Sequence, residues 1–169
     1  IDNTFRTLAK REGRILEGFS MGGYGAARLG FQYPQLFGAV SILAGGPLDL
    51  EFAGPRATGN PAERERILQG TFGGDLANFK TQSPITAAAQ NAEAIRGKSL
   101  VRQAVGSRDF TAELNRAYSR HLEKLHIEHT FIEVSGVTHD TMALLRGLGE
   151  GNWGFYRAAL NRPPTAPQP

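Results

Sequence analysis

The sequence predicts an α/β protein built on a doubly wound, mostly parallel sheet with helices on both faces. Short apolar runs at 14–19, 37–43, 100–105 and 130–134 alternate with stretches of helical period, which is how parallel strands joined by helical crossovers read in a sequence. The run from Phe37 to Leu43 is apolar almost throughout, as a strand buried on both faces must be. The first run passes through Gly18-Phe19-Ser20-Met21-Gly22 straight into an alanine-rich helical pattern, giving a strand, a sharp turn and a helix in succession. Each crossover is expected to be right-handed.

One domain, 1–161, is the expectation for 169 residues with 40% hydrophobic and 21% charged content, followed by a proline-rich tail, 162–169, expected to be disordered. The net charge is only +3 and the lysines and arginines are scattered, which argues against a nucleic-acid or membrane surface. There is no cysteine, so disulfides and thiolate metal sites are excluded. No run approaches the apolar length of a transmembrane helix.

In chain order, residues 2–12 read as a helix, with Phe5, Leu8 and Ala9 on one face and Gly13 as its stop. After the strand at 14–19, a helix runs from about Met21 to Tyr33, where Pro34 ends it. The strand at 37–43 is broken by Gly45-Gly46-Pro47. From Pro47 to Gln82 the periodicity weakens around one short helix, which Asn60 caps, Pro61 opens, Glu63 completes as a capping box and Gly70 closes. This excursion leaves the carboxyl end of a strand, where open α/β sheets bind ligands, so it is expected to wall a pocket with Phe52 and Phe72 exposed in it. Ser83-Pro84 starts a helical stretch through Ile95, ended by Gly97. The strand at 100–105 leads to a helix over about Thr111 to His126, with Leu114, Tyr118, Leu122 and Leu125 on one face. Gly136 turns the chain after the strand at 130–134, and 140–148 and 153–160 read as helices.

Chemistry in such a sheet belongs at the carboxyl ends of the strands. Ser20 ends the first strand; the third ends in Gly106-Ser107-Arg108-Asp109; the fourth ends in Gly136-Val137-Thr138-His139. A serine, an acid and a histidine therefore emerge at one edge, in the chain order Ser, Asp, His. A nucleophile at the apex of a strand-to-helix turn is held in strained backbone geometry, and Gly18 and Gly22 supply the absence of side chains that the close approach demands. The helix beginning at about Met21 points free amides and a positive dipole end at the same place, which suits an oxyanion. His121 and His126 fall in a helix and His129 at a strand's start, so they read as solvated helix or strand residues. Asp140 reads as the cap of the next helix, and Asp49 and Asp75 are weaker acid candidates within the excursion.

The stretch Gly-Phe-Ser-Met-Gly-Gly-Tyr-Gly-Ala, together with Tyr33-Pro34, Phe37, Ser83-Pro84, the step from Gly106 to Asp109 and the step from Gly136 to His139-Asp140, resembles the esterase branch of the α/β-hydrolases. That branch includes S-formylglutathione hydrolases, feruloyl and enterochelin esterases, and mycolyltransferases. A complete α/β-hydrolase has about eight strands and takes one oxyanion donor from a loop upstream of the nucleophile. The resemblance therefore implies that this chain corresponds to the carboxyl-terminal half of the fold, with about four strands.

The expected function is cleavage of carboxylic esters through an acyl-enzyme on Ser20, with His139 as base, Asp109 as its orienting acid and the Met21 backbone NH as oxyanion donor. Neither a metal nor an organic cofactor is expected. An acyltransferase using the same triad, or a non-catalytic interaction module, are the alternatives. The expected partner is a small-molecule ester, and the strand at 14–19 is expected to pair with a second copy or with an amino-terminal half.

Overall fold

Among the described residues, runs of five to seven mostly apolar residues form four strands: β1 (Ile15–Phe19), β2 (Ala39–Leu43), β3 (Leu100–Gly106) and β4 (Thr130–Val134). A computed structural model describes residues 2–46 and 60–163, apart from the side chain of Glu63. Asp49, Phe52 and the rest of 47–59, and the tail from 164, lie outside the described residues. The strands form one sheet in the order β1-β2-β3-β4, and every pairing is parallel. Register aligns Phe19 with Leu43 and Leu43 with Ala104, while Gly106 pairs with Val134, so the carboxyl ends share one edge.

Helices cover both faces. On one lie α1 (Met21–Gln32), α4 (Pro84–Gln90), α5 (Ala92–Ile95) and α6 (Ala112–Lys124), whose Ala27, Phe31, Ala88, Ile95, Tyr118 and Leu122 pack with Val40, Ile42 and Val101. On the other lies α7 (Thr141–Leu160), which buries Leu144 and Leu148 against Leu43 and Ala104, and Phe155 and Ala159 against Ala39. That face also holds a buried charge: Arg102 donates to Glu17 Oε2 at 2.8 Å, Asn152 Oδ1 at 3.0 Å and Ser41 Oγ at 3.1 Å, and its guanidinium lies 4.2 Å over the Phe155 ring. Such a group is tolerated in a core because its donors are paired.

Several elements depart from the sequence reading. The helix expected over 2–12 is absent: only a 3-10 turn, Arg11–Gly13, forms there. Phe5 is 67% and Leu8 52% exposed, so its apolar face has nothing to bury against, and a helix of that length has too little stability of its own. Within the excursion, α2 (Pro61–Phe72) opens as expected with Asn60 Oδ1 accepting from the Ala62 amide at 2.8 Å. It does not close at Gly70, because Leu68 and Phe72 pack on Phe79 and carry it to Gly73. Phe72 is therefore buried, not exposed as expected. A second helix, α3 (Leu76–Thr81), follows on an Asp75 cap. The two helices read at 140–148 and 153–160 join in α7, which kinks at Gly149 (φ 52°, ψ −135°). Arg162, placed in the expected disordered tail, donates to the Gly97 carbonyl at 2.9 Å.

Candidate active site

Ser20 stands between the last residue of β1 and the first of α1 with φ 58° and ψ −120°, a conformation that costs a residue with a side chain and persists only where its surroundings impose it. They do so by hydrogen bonds at both of its backbone groups. The Ser20 amide donates to the Leu43 carbonyl at 2.9 Å, and its carbonyl accepts from the amides of Tyr24 at 3.1 Å and Gly46 at 3.2 Å. A Cβ on Gly18 would collide with the Gly22 backbone, whereas one on Gly22 would meet nothing within 4 Å. The steric demand read for both glycines thus falls on Gly18, and on Gly23, which the sequence reading missed: a Cβ there would lie 2.8 Å from Gly45 Cα.

Met21 opens α1, so its amide is among those with no carbonyl four residues back to bond within the helix, and it sits at the positive end of the helix dipole. One turn further on, Tyr24 packs on Leu68, Phe72 and Phe79, fastening α2 and α3 to the helix that presents Ser20. Burial pushes the Tyr24 phenol above its ordinary range.

Asp109 and His139 arrive on two loops that are bonded to each other. The amides of Ser107 and Arg108 donate to the carbonyls of Val134 and Val137 at 2.9 Å each, and Gly136 donates back to Ser107 Oγ at 2.8 Å. A side chain at Gly106 would collide with the Val137 carbonyl. The outcome is a line of three side chains: His139 Nε2 stands 2.9 Å from Ser20 Oγ, and His139 Nδ1 stands 2.8 Å from Asp109 Oδ2. A carboxylate only accepts, so Nδ1 carries the proton and Nε2 is free to accept the serine hydroxyl. The second oxygen, Asp109 Oδ1, accepts from both the amide and the hydroxyl of Thr111, each at 2.8 Å. Asp109 therefore caps its loop with one oxygen and faces the imidazole with the other.

The remaining candidates are placed elsewhere. Asp140 spends its carboxylate on the Ala143 amide at the start of α7, and Asp75 on the start of α3. His126 is exposed at the end of α6. His121 and His129 are not merely solvated, as read from sequence: His121 Nε2 lies 3.2 Å from the Ile85 carbonyl, and His129 Nε2 lies 2.7 Å from Ser119 Oγ. Among the described residues no group of three or more His, Cys, Asp or Glu is placed to hold a metal ion, and no helix is long and apolar enough to cross a membrane.

Two features escaped the sequence reading. Beneath the site, Asn115 donates to the carbonyls of Gly45 and Thr111 at 2.9 Å each and accepts from buried Gln103. This holds the segment after β2, whose Gly46 supports Ser20, to the helix after Asp109. An asparagine among the leucines of an amphipathic helix was the available signal. The second feature is a pair of rings, Phe19 and Phe110, whose centroids lie 4.7 and 4.5 Å from that of His139.

A parallel sheet wound on both faces, with a serine at the strand-to-helix turn and an acid and a histidine at the next strand ends but one and two, defines an α/β-hydrolase fold. The model of the Putative esterase family matches residues 1–161, and the chain belongs to that family. Among solved structures it is similar to a fluorophosphonate-binding serine hydrolase of Staphylococcus aureus (18% identity, TM-score 0.67, covering 94% of this chain and 57% of that one). It is also similar to a ferulic acid esterase of the anaerobic fungus Anaeromyces mucronatus (22%, 0.63, 95% and 50%). A third similar structure is a puromycin-hydrolyzing peptidase of Mycobacterium tuberculosis (19%, 0.69, 92% and 23%). No curated protein matches. The chain spans about half the length of the first two structures. Likeness at these identities shows the fold alone, and the fold is shared by an esterase and a peptidase.

Proposed function

We propose that this chain cleaves carboxylic esters by two-step acyl transfer through Ser20. The observation that carries the reading is the line from Ser20 Oγ to His139 Nε2 at 2.9 Å and from His139 Nδ1 to Asp109 Oδ2 at 2.8 Å. Ser20 Oγ attacks the ester carbonyl as His139 Nε2 takes its proton, while Asp109 holds the proton on Nδ1 and stabilises the imidazolium. The Met21 amide donates to the oxyanion. As the carbon–oxygen bond to the alcohol breaks, Nε2 returns the proton to the leaving oxygen. Water then attacks the acyl-enzyme with the same histidine as base. Membership of an esterase family supports an ester rather than an amide as substrate. The packing of α2 and α3 on Tyr24 of α1 supports the reading that this part of the excursion walls the substrate side.

The test is labelling by a serine-directed fluorophosphonate, followed by product analysis with and without an alcohol acceptor. Labelling lost in Ser20→Ala, with free acid as the product, is the expected result. An unlabelled wild-type chain would refute it, and an ester of the added alcohol as main product would make the chain a transferase.

A further inference from the structure

We propose that Phe110 contacts substrate and selects esters whose leaving alcohol is apolar, an inference that rests on the acyl-transfer reading above. In that chemistry one atom has two tasks: His139 Nε2 takes the proton from Ser20 Oγ and then hands it to the departing alcohol oxygen. The departing oxygen must come within hydrogen-bond reach of Nε2, so the group it carries extends over whatever surface borders the imidazole. The acyl chain leaves the carbonyl carbon in another direction and is not constrained to that surface. Selectivity written beside Nε2 is therefore selectivity for the alcohol.

Among the described residues two rings border the imidazole, and they differ in availability. Phe19 is partly buried against the cluster that contains Leu43, Ala104 and Leu144. Phe110 is 64% exposed and belongs to none of the core clusters of the described residues. Its ring is the aromatic surface open to a ligand beside the reacting nitrogen. The backbone on either side is fixed, because Thr111 is tied to Asp109 Oδ1 by two hydrogen bonds of 2.8 Å, so little ordering remains to be done when a ligand settles on the ring.

Two further exposed apolar side chains rise from the same edge of the sheet: Met21, one residue after Ser20 and 63% exposed, and Met142, three residues after His139 and 58% exposed. Each member of the triad is thus followed closely by a large apolar group left in water. The flexible thioether of Met21, next to Ser20, adapts to irregular apolar shapes, and covering it together with the Phe110 ring favours a ligand that is itself apolar, whereas Met142 lines a cavity along α7 with Trp153 and Tyr156. The alcohol class that fits is aromatic or bulky aliphatic, with benzyl as the probe. A polyhydroxylated alcohol would set its hydroxyls against a phenyl ring that offers them no hydrogen bond.

The experiment lets benzyl acetate and methyl acetate compete in one mixture over the whole chain, so the ratio of their consumption gives the ratio of kcat/KM whatever the active fraction. Where turnover is slow, the rate of Ser20 acetylation by each ester, followed by intact mass, takes its place. Phe110→Ala should lower the benzyl-over-methyl ratio about tenfold, the scale of a lost aromatic contact, and Phe110→Leu by less. The ratio of para-nitrophenyl hexanoate to para-nitrophenyl acetate, which varies the acyl group, should stay as in the wild type. An unchanged benzyl-over-methyl ratio, or an equal change in both series, would overturn the proposal. So would a folded Phe110→Ala chain that no longer takes the fluorophosphonate, since the ring would then serve only to hold the imidazole. A wild type that takes the label and shows no alcohol preference sinks this inference alone; one that neither takes the label nor consumes any ester sinks the acyl-transfer reading and this inference with it.

Discussion

At the scale of single residues, the two oxygens of Asp109 set up a sharp expectation. Oδ1 accepts from two donors of Thr111 and Oδ2 faces His139 Nδ1. In Asp109→Asn the remaining oxygen belongs with Thr111, which turns the amide nitrogen toward the imidazole. An NH there demands that Nδ1 accept, so the proton moves to Nε2, which then donates to Ser20 Oγ instead of accepting from it. Turnover should fall about 10⁴-fold, as for a wrong tautomer in other triads, while the urea midpoint scarcely moves. Ester hydrolysis and urea unfolding of the variant check this, and a fall in activity that tracks a loss of stability would argue against it. Ser20, Asp109 and His139 could be picked out beforehand because strand ends announce themselves in the pattern of apolar runs. What Gly23 and Asn115 do could not be read, because it depends on contacts between segments far apart in the chain: Asn115 reaches Gly45 across 70 residues, and a Cβ on Gly23 would meet Gly45, whereas Thr111 acts on Asp109 two residues before it.

At the scale of elements, α6 shows what a helical pattern conveys and what it omits. Its existence and length were legible from leucine spacing. The buried face was legible in part: Tyr118 and Leu122 are buried as expected and Leu125 packs on the same core, but Leu114 is only half-buried while Ala112, Asn115 and Ser119 also turn inward. Packing against Gln103 and the loops of the site, rather than hydrophobicity alone, sets that rotation. The helix ends with His126 at φ 54°, and the amides of His126 and Ile127 donate back to Glu123 and Leu122 at 2.8 and 2.9 Å. That is the bonding of a left-handed helix terminus, a position glycine fills without strain. His126→Gly should raise stability by about 0.5–1 kcal/mol, read from urea unfolding. On the same helix, burial holds the His121 imidazole below its ordinary range. The unfolded chain binds a proton there more readily than the folded one, so stability should fall as pH drops through the ordinary histidine range toward the folded value. Urea midpoints measured on either side of that range should differ less in His121→Gln than in the wild type. By contrast, the helix expected over 2–12 had a periodic pattern and no surface to meet it, which a pattern alone cannot reveal.

For the molecule as a whole, the edge of the sheet matters most. β1 pairs with β2 on one side and, among the described residues, with no strand on the other. It is half-buried where β2 is buried throughout. Backbone groups along such an edge invite another strand. The expectation is that β1 takes one, from a second copy or from an amino-terminal half, and that turnover rises when it does. Light scattering over a range of concentration, with hydrogen exchange at the β1 amides, provides the check. A monomer whose β1 amides exchange slowly and whose activity ignores any added strand would count against it.

The bond from Ser20 Oγ to His139 Nε2 joins residues 119 apart in the chain, and the two loops that carry Asp109 and His139 are bonded to each other. Ser20 leaves β1 while its partners leave β3 and β4, so β2 must be in place between them before the three side chains can meet. A half-formed sheet, whichever half it is, cannot bring Ser20, Asp109 and His139 together. Contacts of such separation are late to form, since chain closure must be met before they return anything. On the acyl-transfer reading, newly made or misfolded chains stay chemically silent, and fluorophosphonate labelling of Ser20 becomes a gauge of whether the entire sheet has closed.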